Sequence, residues 1–252
     1  MLTIDINCDM GEGVGNDEAI MPFISSANIA CGYHAGDEGT MRHTIQLALQ
    51  NNVAIGAHPS FFDKKNFGRV EMNLPADEIY DLVILQLRTI DKIIKEEEAK
   101  LHHVKPHGAL YNMAAKNPKI ALAIAQAVKD FDDELILFVL SGSDSKNVPD
   151  ELGLRTANEV FADRTYQDDG SLTPRSQANA LIEDEEQAMG QALQMIKEKT
   201  VTTLTGKTIS VVADTICIHG DGSHAVQFAK AINEKLKMEG VSIKSFPGQI
   251  GS

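Results

Sequence analysis

Cysteine is scarce in this chain: three of its 252 residues are cysteines, an odd number, and they lie far apart. Such a set does not indicate a disulfide framework, and we expect small buried thiols in a reducing cytoplasm. The sequence also lacks any run near the roughly 20 apolar residues of a membrane span. Residues 1–5 place no basic segment ahead of an apolar one, so no secretion signal is predicted and the expected location is cytoplasmic.

Basic residues are outnumbered: 23 Lys and Arg stand against 36 Asp and Glu, a formal net charge of -13. A nucleic acid or an anionic membrane surface needs a basic partner face, so neither is expected to bind. A small anionic substrate is not excluded, because a few Lys and Arg can reverse the field inside a cleft. The length and the 43% hydrophobic content suit one core, and we expect residues 1–252 to form one domain.

Short strand-like runs alternate with longer helical periods, which is typical of a parallel sheet with helical crossovers. The predicted strands are residues 3–8, 27–31, 54–57, 103–105, 135–140, 156–161 and 215–218, with 242–246 as a late eighth. Helices are predicted after Asp37 (a candidate N-cap), from Pro75, and from about residues 120, 184 and 223. The expected fold class is α/β, a single irregular TIM-like (β/α) barrel of seven or eight strands. An open doubly wound sheet is the alternative.

Half of the eight histidines stand where a predicted strand breaks off beside glycine or proline. They are His34, His58, His107 and His219. A titratable group repeated at one level of a fold is hard to explain by packing. An α/β barrel builds its active site from the C-terminal ends of separate strands. The pattern therefore predicts an enzyme that uses these four histidines.

Carboxylates gather at the end of the first predicted strand. Alternation places Asp5, Asn7 and Asp9 on one side of that strand, and Glu12 follows it. Buried carboxylates need hydrogen-bond donors or cations. Asp5 fits a structural network at the barrel floor as well as it fits a site, whereas Asp9 and Glu12 are favoured as site residues.

The fourth predicted strand supplies a cation. Lys105 and His107 are two residues apart and share one face, and a lysine in a barrel strand needs an anion or a chemical role to offset its burial. His103 lies deeper on the same face and fits a core histidine with satisfied hydrogen bonds.

The sixth predicted strand ends between two carboxylates, Glu159 and Asp163. Arg164 and Arg175 follow as candidate anion clamps, although Asp163 and Arg164 could equally form a simple loop ion pair.

Residue spacing gives weak support to a metal site and none to a nucleotide-binding loop. Asp9, His34 and His58 on consecutive strands are an acceptable donor set for zinc or another divalent ion, but no local metal motif supports them. Residues 205–208 imitate the end of a phosphate-binding loop, but Val201 stands where that motif needs glycine.

Seven segments in order along the chain form one combined pattern. They are residues 5–12 (DINCDMGE), 28–37 (NIACGYHAGD), 56–59 (GAHP), 67–69 (FGR), 104–112 (VKPHGALYN), 159–164 (EVFADR) and 217–221 (CIHGD). Together they resemble the LamB/YcsF family. One departure is Val70, which follows Arg69 where a second arginine is expected.

The resemblance implies an irregular β/α barrel related to polysaccharide deacetylases. It also implies ATP-dependent opening of 5-oxo-L-proline to L-glutamate, performed with two partner subunits, B and C. ATP, with Mg²⁺, would be the co-substrate, and the partner subunits could handle it because no ATP loop is recognisable here.

For this chemistry we expect Asp9 or His58 as the base for water, Lys105 as the anion stabiliser and His107 or His219 as the proton donor, with His34 orienting a group or joining a metal. Residues expected to bind the substrate are Asn7, Glu12, Asn28, Tyr111, Glu159, Asp163, Arg164 and Asp221. Two alternatives stay open: an ATP-independent metal-dependent amidohydrolase or deacetylase, and a non-catalytic lactam-binding subunit.

Overall fold

The computed structural model describes residues 2–143, 145, 147–219 and 225–247. Its strands are β1 Thr3–Met10, β2 Ser26–Ala30, β3 Ala54–His58, β4 His103–Val104, β5 Ile136–Leu140, β6 Arg155–Phe161, β7 Thr200–Thr202, β8 Thr208–Ser210, β9 Thr215–Ile218 and β10 Ser242–Ile243. The sequence pattern predicts eight of these to within three residues at either end, and it misses the short β7 and β8.

Seven strands close into a parallel barrel in the order β1-β2-β3-β4-β5-β6-β9, and β9 pairs again with β1. The first strand completes the ring because residues 7–10 pair with β2 and residues 5–8 pair with β9. The last strand, β10, joins the other end of β1 at Thr3 and Ile4. The predicted α/β barrel is confirmed, and the closed ring rules out an open doubly wound sheet.

Helices cover the outside of the barrel. They are α1 Asp17–Ile20, α2 Glu38–Asn51, α3 Ala76–Glu96, α4 Gly108–Lys116, α5 Pro118–Phe131, α6 Val148–Glu151, α7 Glu185–Leu193 and α8 Ala225–Met238, with a 3-10 turn at Met21–Phe23 and a π-helical turn at Gln194–Glu198. The predicted N-cap is confirmed, since the Asp37 carboxylate accepts the Thr40 backbone N–H at 2.8 Å. Within the described residues, no helix is long and apolar enough to cross a membrane.

Residues 205–208 do not form a phosphate-binding loop. They lie at the turn between β7 and β8, which pair as an antiparallel hairpin outside the barrel. The turn closes through backbone bonds from Thr203 N–H to the Lys207 carbonyl and from Gly206 N–H to the Thr203 carbonyl.

The two faces of β1 show how the barrel divides its residues. Ile4, Ile6 and Cys8 are buried in the hydrophobic layer that also contains the inner faces of α3 and α5. Asp5 and Asn7 alternate with them and are equally buried, but inside the barrel. The interior is therefore polar, and each of its groups needs a partner.

Candidate active site

The Asp5 carboxylate lies at the floor of the barrel. It accepts hydrogen bonds from the hydroxyls of Ser25 at 2.5 Å, Ser26 at 2.8 Å and Thr215 at 2.7 Å. Burial raises the pKa of Asp5 to about 6, although the hydroxyl bonds act in the opposite direction. Asp5 therefore belongs to a structural network that ties β1 to β2 and β9.

The Lys105 ammonium lies above this floor, only 3% exposed. Its Nζ is 2.9 Å from an oxygen of Asp9 and 2.9 Å from an oxygen of Glu159, which is fully buried. Burial lowers the pKa of Lys105, but the Asp9 and Glu159 charges outweigh it and raise the pKa well above its usual range. Lys105 is therefore a permanent cation held by two carboxylates.

Two buried amides hold the Lys105 and Asp9 side chains in place. The Asn28 amide donates to Asn7 Oδ1 at 2.8 Å and to Asp9 Oδ1 at 2.9 Å, while Lys105 Nζ donates to Asn7 Oδ1 at 3.2 Å. His103 Nε2 lies 2.8 Å from the side-chain amide oxygen, Oδ1, of Asn28. Asn7 and Asn28, which the sequence assigned to substrate binding, thus lie beneath the cavity and act on Lys105 and Asp9.

His103 is a core histidine, as its depth in the strand indicated. Its ring stacks on Phe138 with centroids 4.3 Å apart. Gly56 on the neighbouring β3 makes room for it, because a Cβ there would lie 2.1 Å from His103 Nε2. Burial lowers the pKa of His103 well below its usual range and keeps the imidazole neutral.

His58 and His107 meet at the top of β3 and β4. His58 Nδ1 lies 2.6 Å from the Lys105 carbonyl oxygen, and His107 Nε2 lies 2.9 Å from the Phe67 carbonyl oxygen. A carbonyl only accepts, so these two nitrogens carry the protons. The remaining nitrogens, His58 Nε2 and His107 Nδ1, lie 2.8 Å apart.

Carboxylates and a third histidine surround this pair. Glu12 Oε1 is 3.1 Å from His34 Nε2 and 3.4 Å from His107 Nδ1, and Asp9 Oδ2 is 3.3 Å from His58 Nε2. The His34 ring stacks on His107 at 3.8 Å. Burial lowers the pKa of His107 to about 3 and that of His34 even further.

This cluster of His and Glu side chains could bind a metal. One donor atom from each of Glu12, His34, His58 and His107 lies within 4.8 Å of the others. The sequence grouped His34 and His58 with Asp9. In the structure Asp9 Oδ1 bonds Lys105 and Asp9 Oδ2 lies 3.3 Å from His58 Nε2, while Glu12 joins the three imidazoles. Neutral imidazoles and a carboxylate suit zinc or a similar divalent ion.

A cavity of about 350 Å³ opens above these groups, within the ~300–1,000 Å³ typical of small-molecule sites. Its wall includes eight of the predicted site residues: Asp9, Glu12, His58, Lys105, His107, Tyr111, Arg164 and His219. Tyr111 is buried beside Glu159, and burial together with that charge raises the pKa of its phenol well above the usual range. Arg69 and Arg175 also line the cavity.

His219 lies in the cavity wall and is hydrogen-bonded to Asp163. Nδ1 of His219 lies 2.6 Å from Asp163 Oδ2. Burial raises the pKa of Asp163, but His219 outweighs it and the pKa lies below its usual value. The alternative pairing of Asp163 with Arg164 does not form, because Arg164 donates to the backbone carbonyls of Ala180 and Thr173. The predicted Asp221 lies outside the described residues.

Comparison with known proteins shows the family to which the chain belongs. The family model for LamB/YcsF matches residues 4–251. The chain belongs to the LamB/YcsF family. A LamB/YcsF relative from Brevibacillus brevis, named as a subunit of 5-oxoprolinase, is 51% identical over 248 residues, which cover 96% of this chain and 98% of the relative.

Solved structures extend the comparison. The crystal structure of a lactam utilization protein from Thermus thermophilus matches with a TM-score of 0.91 and 42% identity, over 97% of this chain and all of that one. The peptidoglycan deacetylase PdaC from Bacillus subtilis matches with a TM-score of 0.50 and 10% identity, over 97% and 88% of the two chains. At that identity PdaC shares the barrel fold alone.

Proposed function

We propose that this chain opens the lactam ring of 5-oxo-L-proline to give L-glutamate, as one subunit of an ATP-dependent 5-oxoprolinase that also contains subunits B and C. The names of its LamB/YcsF relatives support the substrate and the division into subunits. The observation that carries the proposal is the position of Lys105. It is a buried cation in the cavity wall, 2.9 Å from the Asp9 carboxylate, whose other oxygen lies 3.3 Å from His58 Nε2.

A five-membered lactam is an unreactive amide, so its carbonyl needs activation. Transfer of the γ-phosphoryl group of ATP to the lactam oxygen supplies it. Water then adds to that carbon, the ring C–N bond breaks and the nitrogen takes a proton. A second water releases phosphate from the resulting acyl phosphate, giving glutamate, ADP and phosphate. Partner subunits B and C would perform the phosphoryl transfer, with Mg²⁺ on the ATP.

The site offers a base for the water. In its neutral form, with Nδ1–H donated to the Lys105 carbonyl, His58 would accept the proton of the water at Nε2, and Asp9, 3.3 Å away, would stabilise the imidazolium that forms. Lys105 faces the oxyanion or phosphoryl oxygen that develops on the substrate. His219, oriented by Asp163 at 2.6 Å, is suited to give the ring nitrogen its proton.

The test is glutamate release from 5-oxoproline by this chain alone and by the chain mixed with subunits B and C, with and without ATP. Activity that requires both ATP and the partners is expected. Lys105→Ala and His219→Gln should each reduce it at least about 100-fold, while His43→Gln, exposed on α2, should not. Near-normal turnover in Lys105→Ala would overturn the assignment of roles.

A second candidate function is an ATP-independent, metal-dependent amidohydrolase. It is favoured by one observation: donor atoms of Glu12, His34, His58 and His107 all lie within 4.8 Å of one another, and three imidazoles with a carboxylate suit a divalent ion. A divalent ion held by Glu12, His34, His58 and His107 would polarise a carbonyl or acidify a bound water.

This candidate has its own test, independent of turnover. Isothermal titration of the purified chain with Zn²⁺ should give one binding event, lost in Glu12→Gln and in His107→Gln. Glutamate release without ATP that stops on chelation would favour this function over the first. ATP-dependent release that survives chelation, with no Zn²⁺ binding, would exclude it.

A further inference from the structure

Arg175 stands at the corner of a turn in the cavity wall. The turn is closed by a 2.9 Å bond from Gln177 N–H to the Pro174 carbonyl oxygen. The Arg175 side chain is exposed and lines the cavity. Among the described residues, none forms a hydrogen bond or ion pair with the Arg175 guanidinium, although its charge acts on Asp163 and Arg164.

Arg164, which the sequence assigned to the substrate, has a different task. It is only 5% exposed, and it donates through Nη2 to the Thr173 carbonyl at 2.6 Å and through Nε to the Ala180 carbonyl at 3.2 Å. Burial lowers the pKa of Arg164 to about 10, and the nearby Arg175 charge acts in the same direction. Two of its donor groups are therefore already used on the loop that carries Arg175.

Further hydrogen bonds to Thr173 also hold this loop in place. Thr173 N–H bonds the Thr165 carbonyl at 3.0 Å, and the Gln167 amide donates to the Thr173 hydroxyl at 2.9 Å. Thr173 is fully buried, two residues before Arg175. The guanidinium of Arg175 is thus attached to a rigid base, which reduces the entropy lost when it binds a ligand.

The cavity is basic in an acidic protein. Its wall holds five Lys and Arg side chains against three Asp and Glu, in a chain of net charge -13. The positive charges of Arg175 and Arg164 repel each other, and a bound anion would offset that repulsion. A planar fork of donors matches a carboxylate with two parallel hydrogen bonds.

We propose that Arg175 is the residue that selects an anionic lactam, by binding the carboxylate of the substrate, and that Arg164 is a positioning residue for the loop that presents it. This inference rests on the proposed function, since it assigns the end of the substrate remote from the reacting carbonyl. The same oxyanion chemistry would also fit a phosphoryl group, and the experiment separates the two.

The experiment uses the chain assembled with subunits B and C. Arg175→Gln should raise the KM for 5-oxoproline about 10- to 100-fold, the loss of one charge-assisted hydrogen-bonding group, with a much smaller change in kcat. The KM of Arg175→Lys for 5-oxoproline should lie between those of wild type and Arg175→Gln. Arg88→Gln, an exposed arginine on α3, is the matched control and should behave as wild type. Turnover of 2-pyrrolidone, which lacks the carboxylate, should be weak and unaffected by Arg175→Gln.

The outcomes separate the inference from the proposed function. Wild-type assembly that makes no glutamate overturns the proposed function. Active wild type with an unchanged KM in Arg175→Gln overturns the role of Arg175 alone. An unchanged KM for 5-oxoproline together with a raised KM for ATP, or loss of inorganic phosphate binding by calorimetry, would assign Arg175 to a phosphoryl group and overturn its assignment to the carboxylate.

Arg164 is tested by a readout that catalysis does not control. Arg164→Gln should increase the rate of proteolytic cleavage within residues 165–182 and raise the KM, because the loop loses two bonds to backbone carbonyls. Arg175→Gln should leave the cleavage rate unchanged. Equal cleavage rates in wild type and Arg164→Gln would contradict the positioning role.

Discussion

His58 and His107 are paired edge to face, with ring centroids 4.7 Å apart and the ring planes at 87°. Each has one nitrogen fixed by a backbone carbonyl, so the two free nitrogens meet at 2.8 Å. A ligand that binds either of these nitrogens therefore also lies next to the other ring. We therefore expect the two rings to act as one unit.

We expect the effects of His58→Gln and His107→Gln on glutamate formation to be strongly non-additive. Each single variant should lose at least about 100-fold in turnover, and the double variant should lose little more. Single and double variants are compared in the assembled enzyme, with His43→Gln as a control on the exposed face of α2. Losses that multiply in the double variant would show that the two rings act independently.

Removing the buried cation should destabilise the protein. Lys105→Met leaves the Asp9 and Glu159 carboxylates without their partner, and we expect a loss of about 3–5 kcal/mol in the free energy of unfolding. Adding Glu159→Gln should restore part of this stability but none of the activity. Urea unfolding measures both variants.

Lys100→Met is the matched control for this change. Lys100 pairs with Glu134 at 3.0 Å on the surface, where water screens the charges, so its loss should have almost no effect on stability. Similar losses in Lys100→Met and Lys105→Met would contradict the importance of burial.

The pH dependence of stability should contain a contribution from Asp5. Its pKa is about 6 in the folded protein and 3.8 as a free side chain, so the folded state binds the extra proton between these values. Relative to Asp5→Asn, wild type should therefore lose about 2 kcal/mol of stability as pH rises from 4 to 7. The measurement is urea unfolding of both proteins across that range.

Asp37 supplies a contrast of opposite sign. Hydrogen bonds from Thr40 lower the pKa of Asp37, so its contribution is present above the unfolded pKa and is lost as pH falls. Relative to Asp37→Asn, wild type should gain stability as pH rises. If both aspartates showed the same trend of stability with pH, burial would not be the cause of the pH dependence expected for Asp5.

Two glycines should respond to alanine in opposite ways. Gly56→Ala places a methyl group 2.1 Å from His103 Nε2, which displaces the imidazole from Asn28, and we expect a loss of about 1–3 kcal/mol. Gly190 lies within α7 with nothing near its Cβ position, so Gly190→Ala should stabilise by about 1 kcal/mol. Thermal unfolding compares them, and a stable Gly56→Ala would show that His103 can move without cost.

The barrel and much of the site could be predicted from the sequence because both follow from local patterns. Strand length, helical period and the strand-end histidines fix where each β/α unit turns, so His58, Lys105 and His107 arrive at one rim. Alternation along β1 likewise placed Asp5 and Asn7 inside the barrel.

Pairings between distant segments could not be predicted this way. Glu12 contacts His34 and His107 from a loop whose course cannot be read from any periodicity. The metal set predicted from the sequence therefore contained Asp9 and lacked Glu12. Arg164 has the residue type of an anion clamp, but only the fold shows that carbonyl groups already occupy two of its donors. The short helices α1, α4 and α6 were not predicted, because so few turns give no clear hydrophobic periodicity.

Closure of the barrel through its first strand has a consequence for synthesis. Thr215, which donates to Asp5, follows it by 210 residues, so a ribosome takes roughly 10–40 s to deliver the partner. During that time β1 has an unpaired edge where β9 will lie, and the polar interior has no closing wall. A chain that stops before β9 keeps Asp9 and Lys105 but never encloses them, so we expect such truncated products to be inactive and open to proteases.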